Sequence, residues 1–271
     1  VDGREGPLPP GVTLHRRGDG DLWIGTERGL FRVAAGALRA VPRTVAAGDV
    51  PVVVPARFVP LRQAAQPHVT AMLEASDGRF WAGTRDAGVF VLGRDGRVLP
   101  RTFDVPALQR GYISSFLEAE GRVWVATQQG LHLTDPATGR VRTYRPQPGD
   151  PSSLSHDNVT HLYRDRTGTV WVATWGGGFC RVRPASPFVG VDAERGGLSH
   201  DFIMAFAEDS TGVVWVGTGG GGEPVAPRSP TDSAGAFVDA FAAVDPDEDA
   251  RIIRCHDPVE AYGQHAGRLD G

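Results

Sequence analysis

The chain has 271 residues, 41% of them hydrophobic, and a net charge of −4 from 28 Lys+Arg against 32 Asp+Glu. That is enough apolar material for a large core, while the absence of any basic run argues against nucleic acid and against an anionic membrane surface as partners. No apolar stretch reaches the roughly 18 residues of a spanning helix, and the chain opens on Val1 without a charged-then-apolar leader, so it reads as a mature product or a fragment.

In chain order, one strand signature occurs five times: Leu22-Trp23-Ile24-Gly25-Thr26, Phe80-Trp81-Ala82-Gly83-Thr84, Val123-Trp124-Val125-Ala126-Thr127, Val170-Trp171-Val172-Ala173-Thr174 and Val214-Trp215-Val216-Gly217-Thr218. The tryptophans lie 58, 43, 47 and 44 residues apart, a period that suits one four-stranded sheet per repeat. Eleven or twelve residues before each Trp stands a β-branched residue, Val12, Val69, Ile113, Val159 or Ile203, which starts a preceding strand. Turn residues between the two, such as Asp77-Gly78, Glu120-Gly121, Asp165 to Gly168 and Asp209 to Gly212, make each pair a hairpin.

A glycine follows each Trp by six or seven residues, and a third strand begins at Leu30, Val89, Leu131 or Phe179. Asp135-Pro136-Ala137-Thr138-Gly139 then turns the chain into Arg140 to Tyr144, whose alternation suits an outer edge. The fold class is therefore all-β, a β-propeller of about five four-stranded antiparallel blades forming an incomplete, open ring. Each Trp is expected between neighbouring sheets, where burying an indole contributes at most about 4–6 kcal/mol. The small Gly or Ala two residues later leaves room for the next sheet.

Two regions break the period. The long first interval points to an insertion at about residues 42–67, in which Val52-Val53-Val54 is a candidate edge strand between prolines. After Gly222 the chain reads Glu223-Pro224-Val225-Ala226-Pro227 where a third strand is due, so the repeat is expected to stop mid-blade. The division is thus 1–222 as propeller repeats and 223–271 as a divergent, poorly ordered or degenerate tail with one short helix at Ala234 to Val244.

Cys180 and Cys255 are the only cysteines, and the eight histidines show no metal-ligand spacing, so neither a metal nor a cofactor is expected. Gly219 to Gly222 lacks the Lys-Ser/Thr of a phosphate loop, and there is no nucleophile elbow. An enzyme is not expected, and a propeller hydrolase or lyase is the weakest of the readings.

The residue pattern Asp157-x-Val159-x-x-Leu162-x-x-Asp165-x-x-Gly168-x-Val170-Trp171-Val172-Ala173-Thr174-x-x-x-Gly178-Phe179, repeated over Asp201 to Gly222, resembles the two-component regulator propeller repeat. The resemblance covers about residues 12–222 in five copies. It implies a periplasmic or extracellular sensor propeller from a receptor whose cytoplasmic output is a histidine kinase or diguanylate cyclase, neither of which is encoded in these residues. The function it implies is the ligand-sensing input part of such a receptor, binding a small molecule or oligosaccharide. A structural or protein-interaction propeller is the alternative, and a second copy or a neighbouring propeller is a further partner.

In a propeller the loop between second and third strands and the loop joining successive blades open on one face. The loops of the first kind hold Glu27-Arg28, Arg85-Asp86, Gln128-Gln129 and Trp175-Gly176-Gly177; those of the second hold Ser155 to Asn158 and Ser199 to Asp201. The candidate ligand site is therefore Arg28, Arg85, Gln128, His156, Trp175 and His200, a set of amide, imidazole and guanidinium donors around an aromatic platform that suits a neutral or acidic oligosaccharide. The two Ser-His-Asp copies read as repeated turns capped by Asp rather than as catalytic pairs.

Overall fold

The computed structural model describes residues 11–39, 55–61, 66–100, 103–182, 188–194, 198, 200–209, 213–219, 240–244 and 252–256, the last two segments as backbone. The chain forms two compact units, residues 1–125 with 134–141 and residues 126–133 with 142–271. Five sheets follow one another along the sequence. The first is β1 (Gly11–Arg16), β2 (Leu22–Thr26), β3 (Gly29–Val33) and, after the short helix α1 (Ala35–Arg39), β4 (Arg57–Val59), ordered as in the sequence. The second is β5 (Val69–Glu74), β6 (Phe80–Thr84) and β7 (Val89–Leu92).

After helix α2 (Pro106–Arg110) come β8 (Ile113–Ala119), β9 (Arg122–Thr127), β10 (Gly130–Thr134) and β11 (Val141–Tyr144). The fourth sheet is β12 (Val159–Arg164), β13 (Val170–Thr174), β14 (Phe179–Val182) and β15 (Val189–Val191), and the fifth is β16 (Ile203–Glu208), β17 (Val214–Thr218), β18 (Ala240–Val244) and β19 (Ile252–His256). These are sheets of propeller-blade type. The β-branched residues predicted to open inner strands do so at Val69, Ile113, Val159 and Ile203, with Val12 the second residue of β1.

Three local differences from the sequence reading have physical reasons. The second sheet has three strands, its fourth position reduced to a Leu92↔Val98 bridge, because the tight Gly93–Arg97 turn sends the chain back for only a bridge before Pro100. The insertion supplies the outer strand of the first sheet at Arg57–Val59, while residues 52–54, the candidate edge strand, lie outside the described residues. The fifth sheet does not stop at half a blade: Ala240–Val244 pairs along the whole of β17, from Thr218↔Ala240 to Val214↔Val244, and Ile252–His256 pairs on its far side. The Ala-rich segment that reads as helix is a strand from Ala240 onward, since pairing with β17 overrides its local helix propensity. The remainder of the predicted tail lies outside the described residues.

The packing follows the repeat. In the first unit Trp23 packs with Val69, Phe80, Ala82 and Phe90, and Trp81 packs with Ile113, Val123 and Val125; in the second, Trp171 packs with Ile203, Phe206 and Val216. Each of these three Trp rings thus covers the following sheet. The small residue two positions on is needed there, because a side chain on Gly25 would meet Val69 at 2.7 Å and one on Gly83 would meet Ile113 at 2.5 Å.

A second repeating link was not read from the sequence. A glutamate ending the inner strand accepts a backbone N–H from the hairpin turn of the preceding sheet: Gly18 N to Glu74 Oε2 at 2.8 Å, Ser76 N to Glu118 Oε2 at 2.7 Å and Arg166 N to Glu208 Oε2 at 3.1 Å. Charge-assisted bonds of this kind are stronger than neutral ones and fix the angle between sheets. Arg17 and the Gly18 N–H hold the Glu74 carboxyl below its ordinary value against the opposing effect of burial.

Candidate functional site

The loops expected to carry a site are built on a repeated Thr anchor. The threonine that ends each Trp strand turns its hydroxyl inward, donating to Gly29 O from Thr26 at 3.1 Å, to Gly88 O from Thr84 at 2.8 Å, to Gly130 O from Thr127 at 2.9 Å and to Gly178 O from Thr174 at 2.7 Å. The same hydroxyl accepts a loop N–H, such as Gln129 N at 3.0 Å and Gly177 N at 3.2 Å. A buried hydroxyl used as both donor and acceptor closes the turn and leaves the two residues after it facing solvent. Arg28, Arg85, Gln128 and Trp175 are all exposed for this reason.

Arg28 and Arg85 belong to the first unit and Gln128, His156, Trp175 and His200 to the second. Within the second unit the loops are laced together. Gly130 N donates to Asp157 O at 2.7 Å, Trp175 N to Asn158 O at 2.9 Å, and both Gly176 N and Gly178 N to Asp201 O at 3.1 and 3.0 Å. Gly176 and Gly178 have φ of 97° and 65°, left-handed values that an L side chain rarely adopts. So the loop carrying Gln128 meets the Asp157 loop, and the Trp175 loop meets both Ser-His-Asp copies.

Those copies are turns, with a different capping group from the one expected. His156 Nδ1 accepts Asn158 N at 3.0 Å and His200 Nδ1 accepts Phe202 N at 3.0 Å, each imidazole doing for the residue two ahead what an Asp oxygen does in an Asx turn. Asp201 Oδ1 instead accepts Ala193 N at 2.6 Å. His156 Nδ1 also lies 3.4 Å from Asp157 Oδ1, but with its lone pair committed to Asn158 N–H it has no proton to give that carboxylate. A nucleophile–base pair is therefore not assembled at the first copy, while Ser199 of the second lies outside the described residues.

Trp175 is 53% exposed, unlike the blade-forming tryptophans. One side of its indole lies against Phe202, ring centroids 3.7 Å apart at 38°, and the two residues form an isolated antiparallel bridge. An indole supported in this way loses little side-chain entropy when a ligand stacks on it.

The second unit also contains a cleft of about 610 Å³, lined by Pro146 to Pro151, Ser153 to Ser155, Gly176, Gly177, Gly190, Asp192, Glu194 and Asp201; Gly176 and Asp201 adjoin Trp175 and Phe202 in sequence, while Gln128, His156, Trp175 and His200 are not themselves in the lining. Among the described residues its charged lining groups are carboxylates, Asp150, Asp192, Glu194 and Asp201, with the Ser153 and Ser155 hydroxyls and the Gln147 amide between them. The hydroxyl and N–H of Ser152 hold the Asp150 carboxyl below its ordinary value. Ser155 is positioned from behind by Cys180, whose Sγ accepts Ser155 N at 3.3 Å and donates to Ser155 Oγ at 3.2 Å; burial pushes that thiol's pKa up and keeps it protonated. Cys180 packs in the third strand as expected and has this positioning contact in addition.

Sequence reasoning missed Phe202, Asp150, Asp192 and Glu194. The Pro-rich run Pro146 to Pro151 marks a loop, but no local signal shows that it folds back toward Gly176. Among the described residues no group of His, Cys, Asp or Glu is arranged to hold a metal, and no helix is long and apolar enough to cross a membrane.

Comparison with known proteins places these features in a setting. Residues 65–86, 153–176 and 197–220 match the two component regulator propeller family. No curated protein matches the chain. Among solved structures, it is similar to the extracellular domain assigned to a hybrid two-component system of B. thetaiotaomicron, with a TM-score of 0.64 and 18% identity over 94% of this chain and 29% of that one. A second extracellular domain from the same organism, assigned to a one-component system, gives a TM-score of 0.63 and 15% identity over 91% of this chain and 30% of that one. Virginiamycin B lyase of Staphylococcus aureus gives 0.58 and 11% over 90% of this chain and 68% of that one. The chain thus spans about 30% of the two receptor domains, and at these identities the likeness is one of fold.

Proposed function

We propose that this chain, which carries two-component regulator propeller repeats, is part of the extracytoplasmic ligand-sensing input of a signal-transduction receptor, and that its second unit binds a neutral oligosaccharide in the cleft beside Trp175. The observation that carries the reading is the conjunction of an exposed indole backed by Phe202 with a hydroxyl- and carboxylate-lined cleft. Sugars offer apolar C–H faces for the ring and hydroxyl donors for the carboxylates. An acidic glycan, the other class that the donor set suggests from sequence, meets four carboxylates and, among the described residues, no lining cation, so like charge selects against it. The imidazoles of His156 and His200 are used in their own turns, which favours a binding role over catalysis for this loop cluster.

Calorimetric titration with a panel of neutral and acidic oligosaccharides tests this. Neutral members are expected to bind and to raise the melting temperature, by the equivalent of about 2.7 kcal/mol at a hundredfold excess over Kd. Trp175→Ala should abolish binding with the melting temperature nearly unchanged. Binding retained by that variant, or binding only of acidic glycans, would overturn the assignment.

A further inference from the structure

One imidazole sits where three loops of the second unit meet. His156 Nδ1 accepts Asn158 N at 3.0 Å, and the Asp157–Asn158 peptide held in this way is fixed at its other edge, where Asp157 O accepts Gly130 N at 2.7 Å and Val159 N at 3.1 Å. Asn158 O in turn accepts Trp175 N at 2.9 Å. The loop that carries the indole also lies directly on the histidine, since a side-chain carbon added at Gly177 would stand 2.8 Å from His156 Cβ and 3.0 Å from Ser155 O. Trp175 is thus placed by a chain of contacts that begins at one ring nitrogen.

That nitrogen has a second partner within reach. Asp157 Oδ1 lies 3.4 Å from it, and the imidazole is 40% exposed, so solvent can deliver a proton. A neutral Nδ1 with its lone pair free accepts the Asn158 N–H; once protonated it is a donor, gives its N–H to the Asp157 carboxylate and leaves the Asn158 N–H without an acceptor. We propose that His156 is a positioning residue of the Trp175 site that answers to pH, holding the Asp157–Asn158 peptide, and through it the indole loop, when neutral and releasing them when protonated. Histidine is the side chain whose charge ordinarily changes between pH 5 and 8.

The charged groups around it are of the sign that attracts an imidazolium: Asp157 on its own turn, and the four cleft carboxylates, whose wall includes Ser155 and Gly177. Arg145, bound through Nε to Gln129 O at 3.1 Å, is the cation of the loop that meets Asp157. Cys180, behind Ser155, stays a neutral thiol. His200 makes the same bond to Phe202 N, but Asp201 Oδ1 already accepts Ala193 N at 2.6 Å, so of the two copies His156 is the one with a carboxylate to turn to. The switch belongs to the unliganded protein; its effect on binding rests on the glycan reading.

NMR titration of the full chain without ligand, from about pH 8 to about pH 5.5, spans the change while staying above the value of about 4 at which folded His132 takes up its proton. In wild type the Asn158 and Trp175 backbone amides are expected to move upfield and the Asp157 carboxyl carbon to shift, all with the midpoint read from the His156 ring itself. His156→Asn supplies a side-chain oxygen that accepts the same N–H and does not titrate, so it should remove the transition from Asn158 and the part at Trp175 that follows His156. His156→Ala should hold the Asn158 amide at the wild type's low-pH position at every pH. An Asn158 amide that does not follow the His156 ring, or one that titrates in His156→Asn as it does in wild type, would overturn the proposal. A coupled transition in a protein that binds no oligosaccharide would leave the switch standing and overturn the glycan reading alone.

Discussion

The two units bury the same residue in the same repeat position and treat its one polar atom differently. In the second unit, Trp171 Nε1 donates to Asp165 Oδ2 at 2.7 Å and Trp215 Nε1 to Asp209 Oδ2 at 3.0 Å. In the first, the buried indole N–H groups of Trp23, Trp81 and Trp124 find no acceptor among the described residues. The hairpin turns are otherwise alike. Asp165 N donates to Thr169 O and Gly168 N to Asp165 O, as Ala75 N donates to Arg79 O and Gly78 N to Ala75 O, so Ala75 stands where Asp165 does. The repeat thus tolerates an unmatched indole where the apolar contact is large, and the carboxylate is an addition that also ties the turn through Thr167 Oγ1 and Thr169 N.

The largest effect should come from removing the shared element. Trp171→Ala and Trp81→Ala are each expected to cost about 3–5 kcal/mol in chemical denaturation, through cavity formation. A loss below about 1 kcal/mol would mean that the rings are not core. Trp171→Phe against Trp81→Phe sharpens the contrast: the first leaves Asp165 Oδ2 without its indole donor, while Oδ1 keeps Thr167 and Thr169, and should cost about 1–3 kcal/mol more than the second. Equal costs would show that the Asp–indole bond contributes nothing.

Next comes a pH effect in the second unit. His132 is fully buried, with Nε2 3.1 Å from Thr127 Oγ1 and Nδ1 2.9 Å from Thr143 Oγ1, and burial, with Arg145 adding to it, pushes its pKa down to about 4. The folded state therefore holds His132 neutral while the unfolded chain takes up a proton near pH 6.5. Its contribution to stability is complete above about pH 6.5 and is lost as pH falls toward 4, a change of roughly 3 kcal/mol. Urea melts between pH 7 and 4 should show this fall, and His132→Leu should flatten it. An unchanged slope in that variant would place the proton uptake elsewhere.

Two smaller changes test whether the units are interchangeable. Asp165→Ala should cost about 1–3 kcal/mol by leaving the Trp171 N–H without its acceptor. Ala75→Asp should give Trp81 the missing partner and raise stability by about 1 kcal/mol, read as a rise in melting temperature. A fall would show that the turn of the second sheet cannot present a carboxylate to the indole.

The comparison also explains what the sequence discloses. Trp spacing and β-branched starts reveal the sheets because burial on both faces restricts those positions to few residue types. Asp165 and Asp209, six residues before their tryptophans, and Glu74, Glu118 and Glu208 at the ends of inner strands are periodic too, but their partners lie in turns and neighbouring sheets that one-dimensional spacing does not show. β4 and β18 escaped because an outer strand is specified by pairing more than by pattern: Arg57–Val59 is three residues long, and Ala240–Val244 reads as helix until it meets β17. Of the site, the loops and the exposure of Trp175 were legible, since Trp175 alone stands outside the period. The cleft was not, because Asp150, Asp192 and Glu194 reach it from loops far apart in sequence.

The claim that the second unit senses a ligand at Trp175 is tested most directly by fluorescence. Trp175 is the most exposed indole described, at 53%, so a stacking ligand should blue-shift or quench its emission while the buried tryptophans stay unaffected. Titrating wild type with the neutral oligosaccharide that binds best by calorimetry is predicted to give a saturable spectral change with the calorimetric Kd, absent from the Trp175→Phe protein. The same change in that variant, or calorimetric binding with no change in wild type, would contradict the account.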